Sequence, residues 1–288
     1  MLLKKSSGKV MSAALLLMAS ALGFSASVVA VTFEGKFEQG ALVRGTVPAG
    51  SKILLNGEAV KVTPHGQFAI GFDRDAVVDQ LFKVTYPDGL TEIKPLKIAT
   101  KQYKIDRVTG ISQKIMKPDP VAQARAAKDA LQTRAARDIF SEQHAFMQSF
   151  IWPVTGRISG VYGSQRVYND VPGNPHFGVD VARPTGTVVV APADGVITLA
   201  EPDMFYSGGT VIIDHGYGVS STFLHLSKLY LKVGDTVVQG DKVAEIGATG
   251  RVTGPHLDWR LNWFQMRLDP VSIVPPMEKV LAAQKAAK

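Results

Sequence analysis

Gly209-Thr-Val-Ile-Ile-Asp-His-Gly-Tyr-Gly-Val-Ser-Ser-Thr-Phe-Leu-His225 decides the fold of this chain. Two runs rich in Val, Ile, Thr and Phe flank Asp214-His-Gly-Tyr-Gly218, which reads as a turn, so the stretch forms two neighbouring strands. The same pattern continues on both sides. Upstream lie Thr187-Val-Val-Val-Ala191 and Gly195-Val-Ile-Thr-Leu199. Downstream lie Asp235-Thr-Val-Val238, Lys242-Val-Ala-Glu-Ile246 and Leu257-Asp-Trp-Arg-Leu-Asn262. Gly and Pro fill nearly every gap, and no helix of useful length separates the runs. Strands joined this closely pair antiparallel, so residues 151–275 are expected to form a mainly β domain.

Residues 31–110 read as a second, smaller unit. Short strand-like runs such as Lys52-Ile-Leu-Leu55 and Gln67-Phe-Ala-Ile-Gly-Phe72 alternate with turn signals, which suggests a small β-sandwich. Asn56-Gly57 is a type I′ hairpin signal. Pro118-Asp119-Pro120 then breaks the chain, and Val121 to Phe150 holds neither Gly nor Pro. That composition predicts a long helix, with Leu131, Ile139, Phe146 and Phe150 towards one face. Residues 111–150 thus read as a helical linker, its helix a rigid spacer or, as the alternative, a latency device that covers the groove. The tail, 276–288, is helix-prone.

The first 30 residues read as a secretory signal peptide. Lys4, Lys5 and Lys9 precede an apolar, small-residue run that ends at Val28-Val29-Ala30, an acceptable cleavage site. An uncleaved membrane anchor is the alternative, because the run approaches the length of a span. Either way the expected location is the periplasm or cell envelope. Removing those three Lys takes the net charge from +7 to +4. A mild positive balance suits an anionic surface. No clustered basic helix or aromatic stacking motif points to nucleic acid. The chain has no Cys, which excludes a disulfide framework and a cysteine zinc site.

Three segments carry the candidate chemistry: His176-Phe-Gly-Val-Asp180, Phe223-Leu-His225-Leu226 and Gly254-Pro-His256-Leu-Asp258-Trp259. Alternation along a strand puts His256 and Asp258 on one face, with Leu257 in the core behind them. Imidazoles and carboxylates drawn from separate segments make an open three-ligand metal site possible, with further imidazoles left over for proton transfer. His65, His144 and His215 read as structural or surface residues. Trp259 and Trp263 either flank the groove or pack. Arg166 reads as a solvated loop residue.

The region 151–275 resembles the lysostaphin-type (LytM-domain) zinc endopeptidases of peptidoglycan. The resemblance rests on His176-x-x-x-Asp180, Ala191-Pro-Ala-Asp-Gly195, His225-Leu226, Val233-Gly-Asp235, Gly240-Asp241, Gly247-Ala-Thr-Gly250 and Thr253-Gly-Pro-His256. It implies an antiparallel β-sheet groove of the duplicated hybrid motif type. It also implies one Zn²⁺ ion held by His176 and Asp180, with His225 and His256 as catalytic imidazoles. The third metal-ligand position is Asp258, where the family's usual motif has His. A second carboxylate is an accepted zinc ligand, and it leaves room for another divalent metal. The implied activity is metal-dependent hydrolysis of peptide bonds in peptidoglycan stem peptides or cross-links. The alternative is a catalytically inactive module that binds peptidoglycan or activates an amidase. The N-terminal unit is expected to position the peptidase domain or to bind an envelope protein partner.

Overall fold

A computed structural model describes residues 30–109 and 119–287. The expected signal segment except its last residue, residue 110 of the expected N-terminal unit and positions 111–118 of the expected linker lie outside the described residues. Among the described residues, no helix is long and apolar enough to cross a membrane.

The N-terminal unit is a two-sheet sandwich. One sheet orders Thr32–Glu34, Leu42–Thr46 and Gln67–Gly71. The other orders Glu58–Val60, Lys52–Leu55, Asp79–Thr85 and Thr91–Lys97. Alternation drives the packing: Phe82 and Val84 turn inward against Ile53, Phe68 and Ile70, all essentially buried. Asn56 and Gly57 have φ of 52° and 89° and join Leu55 to its partner Glu58, as the I′ signal predicts.

The larger unit is a mainly antiparallel sheet. Among the described residues its main path orders Thr236–Val237, Gly195–Met204, Gly208–Gly216, Val219–Leu229, His256–Trp263, Val179–Ala182 and Arg157–Gly160. Gly208–Gly216 is buried along its whole length. On His256–Trp263, Leu257, Trp259 and Leu261 face the core, and Trp259 meets Trp152 edge to face at 5.6 Å. Trp259 therefore packs and does not flank the groove, while Trp263 lies half-buried between the two cores. His215 belongs to a strand and not to a turn. It is fully buried, its ring held by Asp194 O at 2.7 Å and Ser221 Oγ at 2.9 Å. Burial pushes it down to about 4, which keeps it a neutral structural residue.

The helix runs over Pro120–Asp138 and stops short of the expected 150. Its start is the predicted one: the Asp119 side chain accepts from Ala122 N at 2.9 Å, and Pro120 takes the first helical position. Its end is set by tertiary packing. Residues 139–150 leave the helix so that Phe146 and Phe150 can enter the core beside Tyr217 and His215. Leu131 and Ile139, expected on the packed face, are exposed. Nor does the helix stand free as a spacer. Arg125 pairs with Asp203 at 2.7 Å, Asp129 accepts from Phe205 N at 2.7 Å, and Arg137 donates to Gln265. These contacts dock it along one side of the cleft described next.

Candidate active site

Strand register brings the carboxylates together. Val179–Ala182 pairs with His256–Trp263 so that Asp180 lies opposite Asp258 and Ala182 opposite His256. Directly paired residues share a face of the sheet, with Cβ atoms about 5 Å apart. Two glycines make room for these side chains. A Cβ on Gly160 would sit 2.1 Å from Asp180 Oδ2, and one on Gly178 would sit 2.2 Å from Asp258 Oδ1.

His225 arrives by a different route. Leu224 is opposite Asp258, so alternation alone would turn His225 to the other face. Its φ of 66° breaks that alternation, next to a register shift between Leu226 and Lys228. A left-handed, non-glycine residue inside a strand is strained. Here the strain turns the imidazole into the cleft, where its ring centroid lies 4.9 Å from that of His256.

All three imidazoles are oriented the same way. Nδ1 of His176 faces Val161 O at 3.3 Å, that of His225 faces Thr249 O at 3.0 Å, and that of His256 faces Gly254 O at 2.8 Å. A carbonyl can only accept, so each Nδ1 carries the proton and each neutral ring leaves Nε2 as a free lone pair. This explains part of the Gly247-Ala-Thr-Gly250 and Thr253-Gly-Pro-His256 motifs: they supply the carbonyls that aim two imidazoles.

His176, Asp180 and Asp258 offer ligand atoms that all lie within 4.8 Å of one another. His176 Nε2 is 3.0 Å from Asp180 Oδ1 and 3.5 Å from Asp258 Oδ2, and His256 Nε2 is 3.8 Å from Asp180 Oδ1. Asp180 Oδ1 is buried, with His176 Nε2 beside it but no well-directed hydrogen-bond donor. A buried carboxylate oxygen short of donors is costly, and one that faces the Nε2 atoms of two imidazoles is arranged to share a cation with them. The residues therefore fit a divalent metal ion.

Burial opposes charge on His176, but the hydrogen bonds and charges of Asp180 and Asp258 outweigh it and push the ring up to about 10. Burial likewise opposes charge on Asp258, yet Arg260 and His176 hold its carboxyl far below the usual range. His225 moves the other way. Its burial lowers the pKa and the charge of Asp258 offsets this only in part, so the ring is neutral at pH 7.

The sequence reading missed Arg260. It shares the cleft face with His256 and Asp258, two residues further along the strand. Its Nε donates to both Asp258 oxygens at 3.1 Å and its Nη2 to Oδ2 at 2.7 Å. The i, i+2 spacing of Asp258-Trp-Arg260 carried that signal. His65 and His144 stay outside the site, against each other and Gln67. Arg166 is exposed at the rim of the cleft, whose volume is about 760 Å³.

The model of peptidase family M23 matches residues 174–270, which hold every residue of the cluster. The chain contains an M23 peptidase domain. The peptidoglycan DD-endopeptidase ShyA of Vibrio cholerae serotype O1 is 44% identical over 111 residues, 36% of this chain and 26% of that protein. The DD-carboxypeptidase/endopeptidase Mpg of Neisseria meningitidis serogroup B is 40% identical over 112 residues, 39% of this chain and 26% of that protein. The match thus spans about a quarter of the length of these curated relatives. A solved M23 structure from Pseudomonas aeruginosa aligns with a TM-score of 0.64 at 27% identity, covering 83% of this chain and 95% of that one.

Proposed function

We propose that this chain is an exported, metal-dependent endopeptidase that hydrolyses peptide bonds in peptidoglycan stem peptides or cross-links. The observation that carries the reading is the convergence of His176 Nε2, the buried Asp180 Oδ1 and Asp258 on one point. The names of the M23 relatives support the substrate class. His176, Asp180 and Asp258 would hold one divalent ion, Zn²⁺ in the first instance. When bound, the ion supplies Lewis-acid polarisation of the scissile carbonyl and a more acidic water.

The other steps belong to side chains of the cleft. His225, neutral and with its Nε2 facing the cleft, accepts the proton of the attacking water. His256, held through Nδ1 by Gly254 O, can donate from Nε2 towards the developing oxyanion or the leaving amine only in its doubly protonated form, with the second proton on Nε2. The docked helix walls the cleft on one side, so an extended peptide lies along the sheet between the helix and the 251–253 loop.

A specific observation favours a second reading. The bidentate grip of Arg260 on Asp258 is what a site retired from metal binding would show, and such a module would bind the wall or activate an amidase. Digestion of purified peptidoglycan by residues 31–288, with and without chelator, separates the two. Chelator-sensitive release of new amine ends is expected. No release with added zinc or manganese would leave only the binding module.

The raised pKa of His176 gives a proton-linkage prediction. The metal-free ring is protonated up to about pH 10, and a metal needs that lone pair, so uptake at pH 8 should release about one proton. Affinity should then climb as pH rises towards 10. The stability that His176 gives the metal-free fold has the opposite trend: fully present below pH 6.5, it is lost as pH rises through 10. Titration calorimetry in two buffers of different ionisation enthalpy counts the proton. A count near zero at pH 8 would contradict the arrangement.

A further inference from the structure

Two arginines in the cleft lack an anion. Arg137, in the last turn of the helix, is 7% exposed. Its Nε and Nη2 donate to Gln265 Oε1 at 3.1 and 2.8 Å, and its Nη1 is buried with no partner. Arg267 donates from Nη1 to Oδ1 of the fully buried Asn262 at 2.8 Å. Both line the same cleft as the His and Asp cluster. Among the described residues the ion pairs of that cluster join Asp258 to Arg260 and His176, and Asp180 to His176 and His256; Arg137 and Arg267 form none.

Neutral amide oxygens fix the two guanidiniums in place without cancelling their charge. Buried charges are normally paired, and planar guanidinium forks match a carboxylate in both spacing and charge. Burial with repulsion from Arg260, offset in part by Asp138, brings Arg137 down to about 10, and burial with repulsion from Arg137 and Arg260, offset in part by Asp258, brings Arg267 down to about 9. The two charges are thus close enough to feel each other, and an incoming anion would relieve both.

We propose that Arg137 and Arg267 form a carboxylate-binding subsite on the helix side of the cleft, which takes a free carboxylate of the bound peptide. The identity of the ligand as a peptide rests on the peptidase reading above; the need for an anion does not. In this arrangement the helix contributes a specificity residue to the peptidase domain. It selects substrates with a carboxylate at a fixed distance from the scissile bond. That carboxylate is either the terminal one or one on an internal acidic residue.

The probe is the acetylated peptide Ala-D-Glu-Lys-D-Ala-D-Ala, compared with its C-terminal amide, its D-Gln form and the doubly neutral form. Binding to residues 31–288 is measured by calorimetry, with the peptide recovered intact. The wild-type chain should lose about tenfold or more in affinity when the recognised carboxylate is neutralised, and the arm that shows the loss names the source. In Arg137→Gln the charged and neutral peptides should bind within about twofold of each other. Should that variant fail to fold, Arg267→Gln carries the same comparison. Equal binding of charged and doubly neutral peptides by the wild-type chain overturns the subsite, as does a preference that survives both substitutions. The peptidase reading fails separately. Arginine-dependent preference without wall hydrolysis keeps the subsite and removes the peptidase, whereas hydrolysis without preference does the reverse.

Discussion

Asp180→Ala is expected to strip the metal from residues 31–288 and to lower peptidoglycan hydrolysis by on the order of a thousandfold. Asp180 sits opposite Asp258 across two hydrogen-bonded strands, and its Oδ1 is the atom shared between His176 at 3.0 Å and His256 at 3.8 Å. The metal-free fold loses the His176–Asp180 ion pair when that oxygen goes. His176 still faces Asp258 at 3.5 Å. The substitution should therefore separate chemistry from stability, with metal content and fragment release collapsing while the melting temperature of the chelated protein moves by only a few degrees. Metal analysis after gel filtration and an assay of released amine ends are the two readouts. A variant that keeps one ion per chain and near wild-type release would show that the cluster is not the metal site.

Much of this site is legible in the sequence because strand alternation is local. Alternation along His256-Leu-Asp258 puts Leu257 in the core and both polar residues on the opposite face, and the structure keeps that division, with His256 and Asp258 lining the cleft. Asn56-Gly57 announces its hairpin for a similar reason: the turn needs two positive φ angles, and those residues tolerate them. Residue type makes His225 a candidate and the resemblance gives its role, but alternation alone sends it to the wrong side. Its left-handed backbone is imposed by neighbours remote in sequence, since His225 N donates to Ser207 O at 2.8 Å and its ring to Thr249 O. The helix end was misread for a related reason. Propensity favours continuation past Asp138, but burial of Phe146 and Phe150 against the sheet is worth more than a few further helical turns. The Arg137–Gln265 contact spans 128 positions in the chain, and no periodicity reports it.

Arg260 resolves the departure at Asp258, and a charge-swap cycle is the sharpest test. In the usual motif, a His in place of Asp258 would give two neutral imidazoles and one carboxylate, a donor set of charge −1. In this chain one imidazole and two carboxylates carry −2, and the Arg260 guanidinium on Asp258 returns the total to −1. The pair thus acts as an electrostatic equivalent of histidine. Asp258 remains able to ligate, because a carboxylate has about four lone-pair sites and three donor contacts from Arg260 do not use them all. Asp258→His alone should therefore improve neither metal affinity nor hydrolysis. It leaves Arg260 largely buried without its anion, at a cost of about 3–5 kcal/mol, beside a site whose charge has risen to zero. Metal affinity and hydrolysis should both fall by at least about tenfold. Asp258→His combined with Arg260→Gln restores −1 and removes the orphaned cation, so it should recover most of both losses. The coupling between the two sites, read as non-additivity in metal affinity and melting temperature, should be favourable and larger than 1 kcal/mol or so. Additive effects, or a single Asp258→His variant that outperforms the wild-type chain, would instead mean that Arg260 is withholding Asp258 from the metal.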